Sequence, residues 1–254
     1  MRTVTITRYV TPLREGGSLP ALVEADDDGL YVLKFRAAGH GAKALVAELI
    51  AGELARALGL PIPEIVFATL DRELSRTEPD PEIHQLMYDS AGLNLAIDYL
   101  PGALNFDPLV HHVSADLASR IVWFDALISN VDRTARNTNM LWWHKAPWLI
   151  DHGSSLYFHH APGWEQDPRR SRAGFPAIGD HVLRRAASAI RDVDAALPDA
   201  LPPAVIDRVL ALVPDAWLAD GGHDASHVRT AYQRYLTERL SPPRTFAEEA
   251  AGVR

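Results

Sequence analysis

The chain has 254 residues, 47% of them hydrophobic and 23% charged, with a formal net charge of −8. That length accommodates one large domain or one bilobal domain with a real core, and the negative balance argues against general nucleic-acid binding, which depends on a positive surface. Cysteine is absent, which excludes disulfides, thiolate zinc sites and cysteine catalysis. No apolar run approaches the ~18 residues of a membrane span. The start, MRTVTITRYV, has neither the apolar core nor the small-residue cleavage site of a signal peptide, so a cytoplasmic protein is expected.

In chain order, Thr3 to Arg8 alternates, with Val4 and Ile6 on one face, and reads as a strand. Leu19 to Glu24 and Leu30 to Phe35 read as two more, joined by the acidic turn Asp26-Asp27-Asp28-Gly29. A helix over about Lys43 to Leu58 is closed by Gly59 and stopped by Pro61. Ile65 to Asp71 is a further strand and Ser75 to Pro81 a polar loop. Leu93 to Tyr99 is a strand ending at Pro101-Gly102, a natural joint between lobes.

The remainder reads as mainly helical. Ser114 can cap a helix running to about Ser129. Met140 to Trp143 and Trp148 to Ile150 form a hairpin turning at Lys145-Ala146-Pro147. Trp164 to Gly174, polar with three arginines, reads as a mobile loop. Helices are expected near His181 to Asp194, Pro203 to Leu212 and Ser226 to Leu240. Ser241-Pro242-Pro243 ends the last of them. The expected organisation is an α+β, bilobal protein: a small β-rich lobe with one helix over 1–100, a helical lobe over 101–240 and a disordered tail over 241–254. Such an order suits an enzyme that binds a ligand between lobes.

The most informative stretch is Asn130-Val131-Asp132-Arg133-Thr134-Ala135-Arg136-Asn137-Thr138-Asn139, followed by Asp151-His152-Gly153. Asp132 precedes Asn137 by five positions, and Asp151 follows that Asn by fourteen. One acid to orient an attacking hydroxyl, with an Asn and an Asp to hold the metal, is what phosphoryl transfer from Mg2+-ATP requires. The hairpin supplies a geometry: Asn137 and Asn139 stand before its first strand and Asp151 after its second, and antiparallel pairing brings such ends together. Asn137 and Asp151 can then share one cation, with Asn139 as the alternative, and Mg2+ favours oxygen ligands of this kind. Arg133 and Arg136 can pair with carboxylates or phosphates. Taken singly, Asp132 and each Asn read first as turn caps; it is the set, in this order and spacing, that points to chemistry.

Lys34 sits in the strand Tyr31-Val32-Leu33-Lys34-Phe35, and Glu48 interrupts an otherwise apolar helix face. A lone acid among apolar neighbours needs a cation, and Lys34 is its natural partner; a strand Lys held by a helix Glu and aimed at phosphates is the kinase arrangement. Gly16-Gly17-Ser18 could let backbone amides approach phosphates, although no G-x-G-x-x-G and no Walker A pattern occurs. The histidine pairs His111-His112 and His159-His160 carry no zinc-ligand spacing.

At these residues the chain resembles the HipA-like kinase family, a branch of the protein-kinase and phosphoinositide-kinase superfamily, over about Gly16 to Asp151. The resemblance implies ATP and Mg2+ as cofactors. It makes Asp132 the catalytic Asp, Asn137 and Asp151 the metal ligands, and Lys34 the nucleotide lysine. Ser18 then falls in the phosphate-binding region, and Asp98, Tyr99 and Leu100 form a hinge holding adenine through its backbone. Two features depart from ordinary protein kinases: His152 stands where Phe is usual, and no His-Arg-Asp triplet precedes the loop. The implied acceptor is a protein Ser or Thr hydroxyl. A small-molecule or lipid-headgroup kinase and a nucleotide-binding pseudokinase remain the alternatives.

Overall fold

The computed structural model describes residues 1–13, 19–167, 169–219 and 224–252. The chain divides into two compact units, one made of Met1–Leu45 with Pro63–Pro101 and the other of Val46–Ile62 with Gly102–Arg254.

The first unit is built on five strands: β1 (Thr3–Pro12), β2 (Ala21–Ala25), β3 (Leu30–Lys34), β4 (Ile65–Leu70) and β5 (Gly92–Asp98). They close a barrel in the order β1-β2-β3-β5-β4, antiparallel except where β1 runs beside β4. Period-two alternation decides which side chains fill it. Val4 and Ile6, Ala21, Val23 and Ala25, Tyr31 and Leu33, and Val66, Ala68 and Leu70 all belong to one buried cluster. Between β4 and β5, a 3-10 turn over Arg72–Thr77 replaces the start of the expected loop, and a helix follows that the sequence reading did not contain. This helix, Pro81–Asp89, has Asp80 accepting from the Glu82 amide at its N-cap and Pro at its first turn. Ile83 and Met87, one helical turn apart, join the barrel core.

Helix α1 (Ala42–Ala57) begins in the first unit and continues into the second, so the Pro81–Asp89 helix is α2. Gly59 closes α1 at φ +67, with the amides of Gly59 and Leu60 bonded to the carbonyls of Arg56 and Ala55, a Schellman closure.

The second unit is organised around α3 (Ala115–Leu127), capped by the Ser114 hydroxyl accepting from the Leu117 amide and buried on all sides from Ile121 to Leu127. A three-stranded sheet, β6 (Leu104–Asn105), β7 (Met140–Trp143) and β8 (Ala146–Leu149), carries the expected hairpin, with Met140 opposite Leu149. The chain turns one step earlier than expected, at His144-Lys145, both at positive φ, and Ala146 and Pro147 pair with Trp143 and Trp142. Then come α4 (Ile190–Ala196), α5 (Pro203–Leu210), α6 (Asp215–Leu218), α7 (Ala225–Leu240) and α8 (Thr245–Gly252). Three expectations are corrected here. The helix near His181 starts only at Ile190, because the Val182 amide bonds the Arg133 carbonyl and His181 bridges Thr134, which holds this segment against a loop. The stretch expected as a loop carries two 3-10 turns, Trp164–Gln166 and Arg170–Arg172, in which Trp164 and Ser171 are buried, and Arg239 donates to the carbonyls of Ser171 and Ala173. The tail expected to be disordered contains α8, because Phe246 buries its ring edge-on to Trp123 and beneath the Arg239 guanidinium.

Candidate active site

The loop between α3 and β7 leaves the helix through Ser129, a non-glycine residue at φ +53, and Asn130, whose amide bonds the Asp125 carbonyl. The Asn130 side chain then works in both directions. Its Nδ2 donates to Asp125 Oδ1 at 3.0 Å, and its Oδ1 accepts from the Asp132 amide at 3.1 Å. Asp132 is thereby held just outside the buried end of α3.

Two amides meet the Asp132 carboxylate. Asn137 Nδ2 donates to Oδ2 at 2.9 Å, and Asn139 Nδ2 donates to the same oxygen at 3.2 Å. Charge-assisted bonds of this kind fix a carboxylate's direction. The two asparagines differ in setting. Asn137 is exposed, whereas Asn139 is buried, stands at φ +45 and offers its backbone carbonyl to the Ile150 amide at 3.0 Å. That bond extends the β7–β8 pairing by one step, to the residue before Asp151. Asp151 is half-buried and also stands in the left-handed region, at φ +55. Backbone held in this way concentrates at functional sites.

Beneath the loop lies a polar network in which Arg133, Asn139 and His152 are joined by two residues not singled out from the sequence, Asp125 and His181. The Arg133 side chain is completely buried: Nε donates to Asp125 Oδ2 at 2.6 Å, Nη1 to the carbonyls of Asn139 and Ile150, and Nη2 to His152 Nε2 at 2.9 Å. His181 approaches Asp125 Oδ2 from the other side at 2.8 Å and accepts the Leu183 amide at Nδ1. Since Nδ1 accepts, the His181 proton sits on Nε2 and is donated to Asp125. Burial alone would raise the Asp125 carboxyl; the Arg133 guanidinium and the His181 hydrogen bond reverse that and hold it below the usual carboxylate range. Burial lowers His181 in turn, against the pull of Asp125. The pair is therefore an aspartate with a neutral histidine. Asp125 could have been suspected from the sequence as a lone acid in the apolar run Ile121 to Ile128; His181, 56 positions away, carried no such signal.

The remaining expected residues divide as follows. Glu48, on the part of α1 belonging to the second unit, accepts the His152 amide at 3.0 Å through Oε1. Lys34 is buried in β3, in register with Leu95. The amides of Asp98 and Tyr99 bond the carbonyls of Glu64 and Leu30, which moves the expectation of a hinge amide to Leu100. Burial, with Glu64 nearby, raises the Asp98 carboxyl. Gly16, Gly17 and Ser18 lie outside the described residues.

Among the described residues no group of three His, Asp or Glu side chains is placed to hold a metal. A divalent cation in this loop would depend on Asp151, an asparagine carbonyl and oxygens brought by its ligand, and that donor set suits Mg2+, which is bound through one or two carboxylates together with phosphates. Because the Nδ2 groups of Asn137 and Asn139 face Asp132, the Oδ1 atoms are the ends left for a cation, so the residues present fit the ion.

A family model described as HipA-like kinase matches residues 6–240. The chain belongs to the HipA-like kinase family. The Helicobacter pylori proinflammatory kinase CtkA is similar in structure at 12% identity and a TM-score of 0.57, with 98% of this chain and 97% of that chain covered. The Golgi casein kinase is similar at 14% identity and a TM-score of 0.51, covering 99% of this chain and 74% of that one. Its Mn/ADP-bound form gives the same identity and score, with 75% of that chain covered. Likeness at these identities shows the kinase-like fold. No curated protein matches the sequence. Within the HipA-like kinase family, then, this chain is a phosphotransferase with a β-rich N-terminal part and a helical C-terminal part. No described helix is long and apolar enough to cross a membrane.

Proposed function

We propose that the protein transfers the γ-phosphoryl group of ATP, with Mg2+ as the divalent ion, to a hydroxyl group, the Ser or Thr side chain of a protein. The observation that carries this reading is the Asp132 carboxylate, aimed by two asparagine amides, in a loop that Arg133 ties to the strand entering Asp151.

In this scheme Asp132 orients the acceptor hydroxyl and takes its proton as the bond to phosphorus forms. Asp151 and one asparagine amide oxygen hold the cation. Asn137 matches the spacing of the family motif, but the backbone bond from Ile150 to Asn139 favours Asn139. Lys34 and the Gly16-Gly17-Ser18 segment take the phosphates, Glu48 belongs with the ATP-binding residues, and Asp98, Tyr99 and Leu100 receive the base. When bound, the ion neutralises charge developing on the transferred phosphoryl group. The Mn/ADP-bound form of the Golgi casein kinase supports a divalent ion at such a site.

Incubation with γ-labelled ATP and Mg2+, with and without cell lysate, tests the reading. A labelled protein band is the expected result. A labelled small molecule or lipid would redirect the acceptor assignment, and no label in any fraction would overturn phosphoryl transfer.

A further inference from the structure

His152 occupies the position after Asp151 where ordinary protein kinases carry Phe, and it is completely buried. Its ring meets Phe124 edge-on at 6.2 Å, an aromatic contact that a phenyl group would make equally well. The ring nitrogens do what a phenyl group cannot. Arg133 Nη2 lies 2.9 Å from His152 Nε2. A guanidinium only donates, so Nε2 accepts and the ring proton sits on Nδ1. On the opposite edge Nδ1 faces Glu48 Oε1 at 3.7 Å, and the His152 amide donates to that same oxygen at 3.0 Å.

These contacts bracket Asp151. Arg133 donates to the Ile150 carbonyl, in the peptide leading into Asp151, at 3.4 Å. Glu48 holds the amide leading out of it. His152 meets one holder through its ring Nε2 and the other through its backbone amide, and between them Asp151 keeps its left-handed backbone. We infer that His152 is a positioning residue which, through Arg133 and Glu48, fixes the backbone on both sides of Asp151 and so aims its carboxylate. The inference rests on the reading of Asp151 as a metal ligand. Phe at this place would leave a buried guanidinium N–H without its acceptor, and the grip would loosen while the apolar packing survived.

Three measurements test this. Nitrogen-15 NMR of the wild-type imidazoles should show the Nδ1–H tautomer for His152; an Nε2–H tautomer would overturn the inference whether or not the protein transfers phosphate. Calorimetry of ADP binding across Mn2+ concentrations should show His152→Phe raising the half-saturating metal concentration on the order of tenfold. His152→Gln, whose amide oxygen can still accept from Arg133, should restore most of that loss, while the two variants unfold at similar temperatures. Wild-type metal dependence in the Phe variant, or equal impairment of Phe and Gln variants, would refute the role. Failure of the wild type to transfer phosphate, with the tautomer and metal shift as expected, would count against the kinase reading alone.

Discussion

Arg133 and Asp125 form an ion pair in which both side chains are wholly buried, Nε lying 2.6 Å from Oδ2. Such a pair is poor evidence of added stability, since desolvating two charges offsets much of their attraction. Its strength lies in the cost of breaking it, and in what else Arg133 holds: the carbonyls of Asn139 and Ile150 at the mouth of the β7–β8 hairpin.

Replacing Arg133 by Met should therefore lower stability by about 3–5 kcal/mol, because Asp125 is left as an uncompensated buried charge. Denaturant unfolding at pH 7 measures this. A loss under about 1 kcal/mol would show that water or rearrangement replaces the guanidinium readily.

The Asp125–His181 pair gives a pH signature. Asp125 is held below its unfolded value near 4 and His181 below its unfolded value near 6.5. In both cases the unfolded chain binds protons more readily, so stability rises with pH across these windows. The His181 contribution is present above pH ~6.5 and fades as the pH falls below it; the Asp125 contribution follows below pH ~4. Unfolding free energies of His181→Gln between pH 7 and pH 5 should accordingly vary less than those of the wild type.

Asp132→Ala should reduce turnover about 10²–10⁴-fold, the usual size of general-base loss, with little change in the apparent affinity for ATP. Turnover equal to wild type in a steady-state assay would remove Asp132 from its assigned role.

Asp151→Ala should weaken metal-dependent nucleotide binding. Between the asparagines, Asn139→Ala should raise the metal requirement more than Asn137→Ala, since Asn139 is the buried one and is bonded to Ile150. Isothermal titration with ADP at varied Mn2+ decides the ranking; an equal or inverted order would return the ligand role to Asn137.

Phe246→Ala should cost about 3–5 kcal/mol, as for other buried Phe truncations, because the ring is 1% exposed and packs on Trp123 and Arg239. A thermal midpoint unchanged from wild type would mean that the chain beyond Ser241 behaves as the sequence reading expected.

What the sequence determines by itself is local. Alternation at Val4 and Ile6 marks a strand, Ser114 and Gly59 mark helix ends, and the spacing from Asp132 to Asn137 and on to Asp151 raises the expectation of phosphoryl-transfer chemistry. In each case a few neighbouring residues carry the whole signal. The tertiary structure alone decides how that chemistry is supported. Asp125, Arg133, His152 and His181 enclose one buried network although they come from a helix, a loop, a hairpin exit and a distant turn. A buried charge must find compensation, but its sequence does not say from where. The same holds for the tail: Phe246 reads as an isolated apolar residue after Pro242-Pro243, and only the open side of Trp123 gives it a reason to fold.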